Sequence, residues 1–147
     1  MAQGVDLIFE LKKDFELNEI DIRTYSPLTL AYIGDAIYDL LVRSFVVCKG
    51  NTSNNKLHKK TTKYVSAKAQ SQIIKALKEE LTEEELTFYK RGKNAKPSST
   101  AKNASLSEYL KATGFEALLG YLYLTGQKDR ITYIVRKGIE VIDGDDN

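Results

Sequence analysis

Two acidic side chains, one directly after a glycine and the other one helical turn before a glycine, have the residue types and spacing that could do chemistry. Asp35 directly follows Gly34 in an apolar stretch, and Glu116 lies four residues before Gly120 in another. If the two segments cross at their small residues, their carboxylates approach each other. Neighbouring carboxylates repel unless a proton or cation lies between them. Asp and Glu oxygens without His or Cys nearby favour a hard cation, Mg²⁺ in particular.

Other interpretations of these acids stay open. Each carboxylate could pair with a basic side chain or cap a helix end, as structural acids usually do. Because the segment around Asp35 is apolar, we expect Asp35 to be buried, which is unfavourable without such compensation. Asp39, four residues after Asp35, is expected to be solvated or salt-bridged rather than a ligand.

A basic block separates the two acids along the chain. Residues 56–102 carry 12 basic and 5 acidic side chains, whereas residues 1–55 and 103–147 have net charges of −3 and −2. This asymmetry favours a polyanionic partner, although lysine-rich helices can also serve solubility alone. Lys, Arg and Asn around a flexible Gly suit contacts with successive phosphates of RNA or DNA. The candidate phosphate-binding residues are His58, Lys59, Lys60, Lys63, Lys68, Arg91, Lys93, Asn94 and Lys96.

Several other kinds of catalytic site are excluded by residues that the sequence lacks. It has one His and one Cys, and no phosphate-binding glycine loop or nucleophilic triad. His58 is therefore interpreted as a phosphate contact or a plain polar residue rather than a general base. Tyr32, Tyr38 and Tyr123 lie near the acids and could touch a substrate, but their positions on helix stripes favour the core.

The elements that must position these residues are helices. Leu30, Ile33 and Ile37 recur at spacings of three and four, which indicates a helix. Capping residues and glycines give the boundaries of this helix and others. The sequence predicts helices over residues 5–21, 26–47, 57–60, 64–78, 82–91, 105–124 and 127–142. Without alternating strand patterns, the fold class is all-α. The lysine-rich segment Lys90–Lys102 enters a long loop, which is typical of functional or disordered segments.

Composition indicates one globular domain. Among 147 residues, 42% are hydrophobic and 29% are charged, which is typical of a soluble protein with a core. No apolar run reaches the roughly 18 residues that span a membrane, and no signal-peptide pattern is evident. Cys48 is expected to be a small buried residue in a reducing cytoplasm.

Two motifs resemble the signature sequences of the ribonuclease III catalytic domain. Residues 31–37, Ala-Tyr-Ile-Gly-Asp-Ala-Ile, are similar to the helix that carries its metal-binding aspartate. Residues 115–120, Phe-Glu-Ala-Leu-Leu-Gly, are similar to its second motif, whose glutamate binds the metal. With the basic segments between them, residues 26–142 most resemble Mini-ribonuclease III, the bacterial branch without a double-stranded-RNA-binding domain.

The resemblance implies an all-helical endoribonuclease of the ribonuclease III endonuclease-domain type, a homodimer that cuts double-stranded RNA. It also implies maturation of the 23S ribosomal RNA precursor, with a ribosomal protein as a further candidate partner. By position, Asp35 and Glu116 match the metal-binding acids. They are expected to hold Mg²⁺, which would activate a water and polarise the scissile phosphate, leaving a 5′-phosphate and a 3′-hydroxyl. The predicted organisation is an N-terminal lead-in (1–24), a catalytic domain (25–143) and an acidic tail (144–147).

The sequence departs from the family pattern at two positions. Ala31 stands where ribonuclease III has a glutamate, and Thr113 stands where it has an aspartate, so the number of metal ions is open. A non-catalytic double-stranded-RNA-binding module on the same fold is the alternative, although a pure binder needs no pair of acids. A Mg²⁺-dependent nucleotide hydrolase would need a dense acidic cluster, and the one at Glu80–Glu85 is expected to be solvated.

Overall fold

Seven α-helices form the described part of the chain in this computed structural model, which describes residues 3–96 and 105–144. They are α1 (Gln3–Asp14), α2 (Pro27–Cys48), α3 (Asn54–Val65), α4 (Ala67–Leu77), α5 (Glu83–Lys93), α6 (Leu106–Leu124) and α7 (Lys128–Gly144). Two 3₁₀ turns, Ile22–Thr24 and Lys78–Glu80, precede α2 and α5. Neither described range contains a strand, so the predicted all-α fold is confirmed. None of these helices combines the length and apolar character needed to cross a membrane.

Capping side chains fix the starts of the helices that carry the site. The Ser26 hydroxyl accepts a hydrogen bond from the Leu28 N–H, and Pro27 occupies the first position of α2, where a missing N–H does no harm. Thr82 and Ser105 each form a complete capping box with a glutamate three residues later. The predicted bounds of α2, α5 and α6 are therefore confirmed to within two residues.

The boundary between α3 and α4 differs from the prediction. Tyr64 and Val65, predicted to begin the later helix, are the last residues of α3. Ser66 is extended, with a ψ of 155°, and its hydroxyl accepts a hydrogen bond from the Ala69 N–H. It therefore ends one helix and caps the next. The apolar residues on both sides of Ser66 concealed this break in the sequence.

The N-terminal helix is shorter than predicted. Glu16 has a φ of 53°, and the Leu17 N–H donates to the Lys12 carbonyl at 2.9 Å. This left-handed residue with a bond back across the last turn is a common helix terminator, so α1 ends at Asp14.

Helix α6 is the centre of the fold. From Ala112 to Leu122 every residue except Glu116 is buried. Helices α2, α4, α5 and α7 all pack against α6, and α7 also packs on α4. Because a helix that is apolar on all sides is stable only when enclosed, Glu116 stands out as the one incompletely buried residue of this span.

Helices α2 and α6 touch through their backbones. A Cβ atom on Gly34 would overlap the carbonyl oxygen of Glu116, and one on Gly120 would overlap the carbonyl oxygen of Leu30. Only glycine permits so close an approach. The predicted crossing of these segments at their small residues is therefore confirmed.

Some side chains lie elsewhere than the sequence predicted. Tyr32 is 81% exposed and Cys48 is also exposed, although both were expected in the core. Glu85, expected to be solvated, is 3% exposed, and its carboxylate lies 2.7 Å from the Arg130 guanidinium. This buried ion pair was not evident because Arg130 is 45 residues away in sequence. Tyr38 is buried as predicted.

Candidate functional site

Asp35 and Glu116 lie side by side where α2 crosses α6. The Gly34 backbone contacts the Glu116 backbone, which brings the next residue, Asp35, to the Glu116 carboxyl group. Glu116 is partly buried, whereas Asp35 is exposed. The expectation that Asp35 is buried is therefore wrong. Asp35 lies about 100° around α2 from the glycine that makes the contact, so it leaves the crossing and faces solvent.

The electrostatic environment of Glu116 favours its neutral form in the metal-free protein. Burial and, after it, the adjacent Asp35 carboxyl raise the pKa of Glu116 to about 8, and a hydrogen bond from Gln70 partly opposes this. No Lys or Arg in residues 3–96 or 105–144 forms an ion pair with either carboxylate. The pair therefore needs a shared proton or a cation.

A hard divalent cation fits this donor set. The site offers carboxylate oxygens, which Mg²⁺ prefers, on a side that is open to solvent. Neither here nor elsewhere in the described ranges do three or more His, Cys, Asp or Glu form a group that could hold a metal, so the candidate site consists of two carboxylates. Two carboxylates leave most of the six positions around Mg²⁺ to water and a substrate phosphate, which this ion accepts readily. Asp35 and Glu116 are therefore candidate ligands of one ion.

Residues near the pair add no further acid. Ala31 is buried and apolar. The Thr113 hydroxyl donates to the Tyr109 carbonyl at 3.0 Å, a bond within α6. The Asp39 carboxylate lies 2.7 Å from the Arg43 guanidinium, so it is salt-bridged as the sequence indicated.

The first group of predicted phosphate contacts lies on α3 and at the start of α4. His58, Lys59, Lys60, Lys63 and Lys68 are all exposed. The Lys63 ammonium also contacts an α7 carboxylate at 2.9 Å, so it helps to hold α3 against α7. Lys68 lies two residues before Gln70 on α4, so the exposed Lys68 and the buried Gln70, whose amide contacts Glu116, lie on opposite sides of that helix.

The second basic segment lies at the end of α5. A Cβ atom on Gly92 would overlap the Ala117 side chain, so this turn packs on α6 one residue from Glu116. The Arg91 guanidinium donates to the Tyr25 carbonyl at 2.9 Å and thereby joins α5 to the segment before α2. Arg91 therefore has a structural contact in addition to its predicted role.

The other predicted phosphate contacts of this segment are less constrained. Lys93 is partly buried, and Asn94 and Lys96 are exposed. Residues 97–102 of the predicted lysine loop lie outside the described residues, as do residues 145–147 of the predicted acidic tail.

Sequence reasoning missed one residue of the site, Gln70. Its side chain is 2% exposed, and its Nε2 lies 3.3 Å from the Oε2 of Glu116. It lies three, four and seven residues before Ile73, Ile74 and Leu77, which form the buried stripe of α4. A polar side chain on an apolar stripe was the signal that could have identified it.

Comparison with known proteins finds relatives that span most of this chain. A family model, the Ribonuclease III domain, matches residues 28–127, a range that contains both carboxylates and the basic segments. The Mini-ribonuclease 3 of Enterococcus faecalis is 50% identical over 78% of this chain and 89% of its own length. That of Brevibacillus brevis is 48% identical over 82% and 90%. A crystal structure of a Fusobacterium nucleatum protein superposes with a TM-score of 0.75 at 36% identity, covering 82% of this chain and 96% of that one.

Proposed function

Because this chain belongs to the ribonuclease III family, in its Mini-ribonuclease 3 branch, we propose that it cuts double-stranded RNA with Mg²⁺ held by Asp35 and Glu116. The family makes it an endoribonuclease of the ribonuclease III type. The observation that carries the metal assignment is the carboxylate pair at the α2–α6 crossing, which has no basic partner in the described ranges.

The side chains of the pair have distinct tasks in this mechanism. Asp35 and Glu116 would hold the Mg²⁺, which would supply a Lewis acid able to activate a water and polarise the scissile phosphodiester. Glu116 must release its proton before it can act as a ligand, and Gln70 donates a hydrogen bond to its carboxyl group. Asp35 is exposed, so the RNA phosphate would approach the site from its side. Attack of water on phosphorus and departure of the 3′ oxygen leave a 5′-phosphate and a 3′-hydroxyl.

The exposed basic side chains of α3, α4 and the end of α5 would hold the RNA. Contacts to phosphates and 2′-hydroxyls recognise the A-form shape of a duplex more than its sequence. Each phosphate that a lysine neutralises releases counterions, so duplex affinity should fall steeply with salt.

A homodimer would cut both strands of one duplex. Ala36 and three large apolar residues, Tyr32, Leu40 and Val47, recur along the outer face of α2 with spacings of four and seven, and the three are 81%, 56% and 58% exposed. An exposed apolar stripe of this kind suits contact with a second copy of the chain. The resemblance to Mini-ribonuclease III supports the 23S ribosomal RNA precursor as substrate, a ribosomal protein on that precursor as a further partner, and a cytoplasmic location.

A non-catalytic RNA-binding module is the second candidate function. Ala31 and Thr113, which stand in place of two family acids, favour it. The retained pair Asp35 and Glu116 argues against it, because binding alone gains nothing from two adjacent negative groups. A nucleotide hydrolase is less consistent with the structure, since Glu85 of the acidic segment is paired with Arg130.

Cleavage of a long RNA duplex tests the proposal. The protein should cut the duplex in Mg²⁺, leave it intact in a chelator, and cut the separated single strands much more slowly. End analysis should find 5′-phosphates. A duplex that is bound but stays intact at every Mg²⁺ concentration would favour the binding module, and turnover of free nucleotides would favour the hydrolase.

A further inference from the structure

Gln70 is the described side chain that joins the interior of α4 to the carboxylate pair. Its Nε2 donates to two acceptors, the Val65 carbonyl at 2.9 Å and the Glu116 Oε2 at 3.3 Å. The first bond anchors the amide to the end of α3. The second bond therefore acts on Glu116 from a fixed point, since the Gln70 side chain is almost completely buried.

The other end of the same amide has no partner. The Gln70 Oε1 is buried, and the described part of the chain gives it no hydrogen-bond donor. A buried carbonyl oxygen without a donor is unfavourable, and the stripe positions Ile73, Ile74 and Leu77 are apolar. Packing alone would therefore favour a leucine or methionine at this position. What the amide contributes in place of such packing is the pair of hydrogen bonds from its Nε2.

We propose that Gln70 is a positioning residue, whose amide holds the Glu116 carboxylate in the orientation that lets it share a metal ion with Asp35. This inference rests on the proposed function, because it assumes that Glu116 is a ligand. Carboxylate ligands are commonly oriented by such outer hydrogen bonds, and losing one typically weakens metal binding 10–100-fold. Such orientation of Glu116 matters more here because Thr113, one turn earlier on α6, stands in place of a family acid. Its hydroxyl donates to a carbonyl of its own helix and does not orient Glu116.

Metal binding to the RNA-free protein tests this role directly. Gln70→Met keeps the length of the side chain and removes the amide. We expect it to bind Mg²⁺ about 10–100-fold more weakly than wild type by calorimetry, with Mn²⁺ spectroscopy as a second probe. Gln72→Met is the matched control, since Gln72 lies on the same helix and is exposed. It should bind the metal as wild type does.

Cleavage kinetics separate positioning from general damage to the fold. For Gln70→Met, the Mg²⁺ concentration that gives half-maximal cleavage should rise by a similar factor, and saturating Mg²⁺ should largely restore the rate. Duplex affinity without metal should not change. If Gln70→Met does not fold, the same measurements are made on Gln70→Leu, because leucine matches the apolar residues of the α4 stripe.

The outcomes distinguish this inference from the proposal beneath it. If Gln70→Met binds Mg²⁺ within twofold of wild type while Glu116→Gln loses binding, the metal site stands and the role of Gln70 is overturned. If wild type binds no better than Glu116→Gln, the metal site itself is refuted and the inference falls with it.

Discussion

Asp35 and Glu116 are held together by the backbone rather than by an opposite charge. The fold forces them close through the glycine contact between α2 and α6, and the burial of Glu116 further disfavours its charged form. Two carboxylates held this close are unfavourable unless a proton or a cation lies between them. Bound Mg²⁺ would replace the proton on Glu116, so metal binding and the protonation of Glu116 are linked.

The raised pKa of Glu116 predicts how stability depends on pH in the absence of metal. In the unfolded chain this carboxyl ionises near its ordinary value of 4.5, whereas the folded protein keeps the proton until about pH 8. The stabilisation of the folded protein by this protonated group is therefore complete below pH 4.5 and is lost as the pH rises through 8. Thermal unfolding in a chelator should show this loss in wild type and not in Glu116→Gln, whose amide does not titrate.

The same comparison gives a metal control. At pH 7, added Mg²⁺ should raise the unfolding temperature of wild type and leave Glu116→Gln unchanged, since a ligand stabilises the state that binds it. For the pH prediction, the contradicting result would be unfolding temperatures in a chelator that change with pH in the same way in wild type and Glu116→Gln, because the pKa of Glu116 would then not be raised.

At the scale of the helices, the crossing of α2 and α6 brings the two acids of the site together. Because Gly34 and Gly120 place two backbones in contact, the separation of the helices cannot vary much. Asp35 and Glu116 each lie beside this contact, so the fixed separation of the helices also limits the distance between the two carboxylates. Helices that met through larger side chains would separate the two acids.

Gly34→Ala should therefore damage both stability and cleavage. Its methyl group would overlap the Glu116 carbonyl oxygen, a backbone atom that can move only with α6. Overpacking of this kind destabilises by about 1–3 kcal/mol and sometimes more, and the forced separation should also weaken metal binding. Chemical denaturation and Mg²⁺ calorimetry measure the two effects.

Gly144→Ala is the control for this substitution, because a Cβ atom there would meet open space at the end of α7. It should change stability by no more than about 0.5 kcal/mol. If Gly34→Ala were as stable as Gly144→Ala, the close crossing would be wrong.

Most of the helices could be predicted from the sequence because their signals are local. The Ser26, Thr82 and Ser105 caps and the spacing of apolar residues fix the starts of α2, α5 and α6. The boundary at Ser66 was missed because its capping bond leaves the hydrophobic spacing on both sides unchanged.

Prediction of the site was less complete because burial depends on tertiary contacts. The glycines correctly indicated that the two acids meet, but not which of them faces solvent. The burial of Glu85 depends on Arg130, and the contact of Gln70 with Glu116 joins residues 46 apart in sequence. No local pattern specifies such pairs.

In the described part of the molecule, the predicted phosphate contacts and the apolar stripe of α2 lie on different helices. The predicted phosphate contacts lie on α3, on the start of α4 and at the end of α5. The apolar stripe on the outer face of α2 begins at Tyr32, three residues before Asp35. If that stripe is the dimer contact, the metal pair lies close to it, and duplex RNA would reach the site along the basic surface.

Substitution on this stripe should separate the proposed dimer. Leu40→Glu would place a charge in the contact, where desolvation makes it strongly unfavourable. Light scattering should give the mass of two chains for wild type and of one chain for Leu40→Glu, with helix content retained. Leu106→Glu is the matched control, since both leucines are 56% exposed. A wild-type monomer, or a dimer that Leu40→Glu leaves intact, would rule out this interface.

The most direct test of the central claim compares cleavage of a long RNA duplex by wild type, Asp35→Asn and Glu116→Gln in Mg²⁺. Asp39→Asn is the control, since its carboxylate is on the same helix but is paired with Arg43. Loss of the metal should slow cleavage by at least about 10³-fold in the first two variants, with folding and duplex binding retained, while the control stays near wild type. Cleavage at the wild-type rate by either site variant would contradict the assignment of Asp35 and Glu116 as the metal-binding pair.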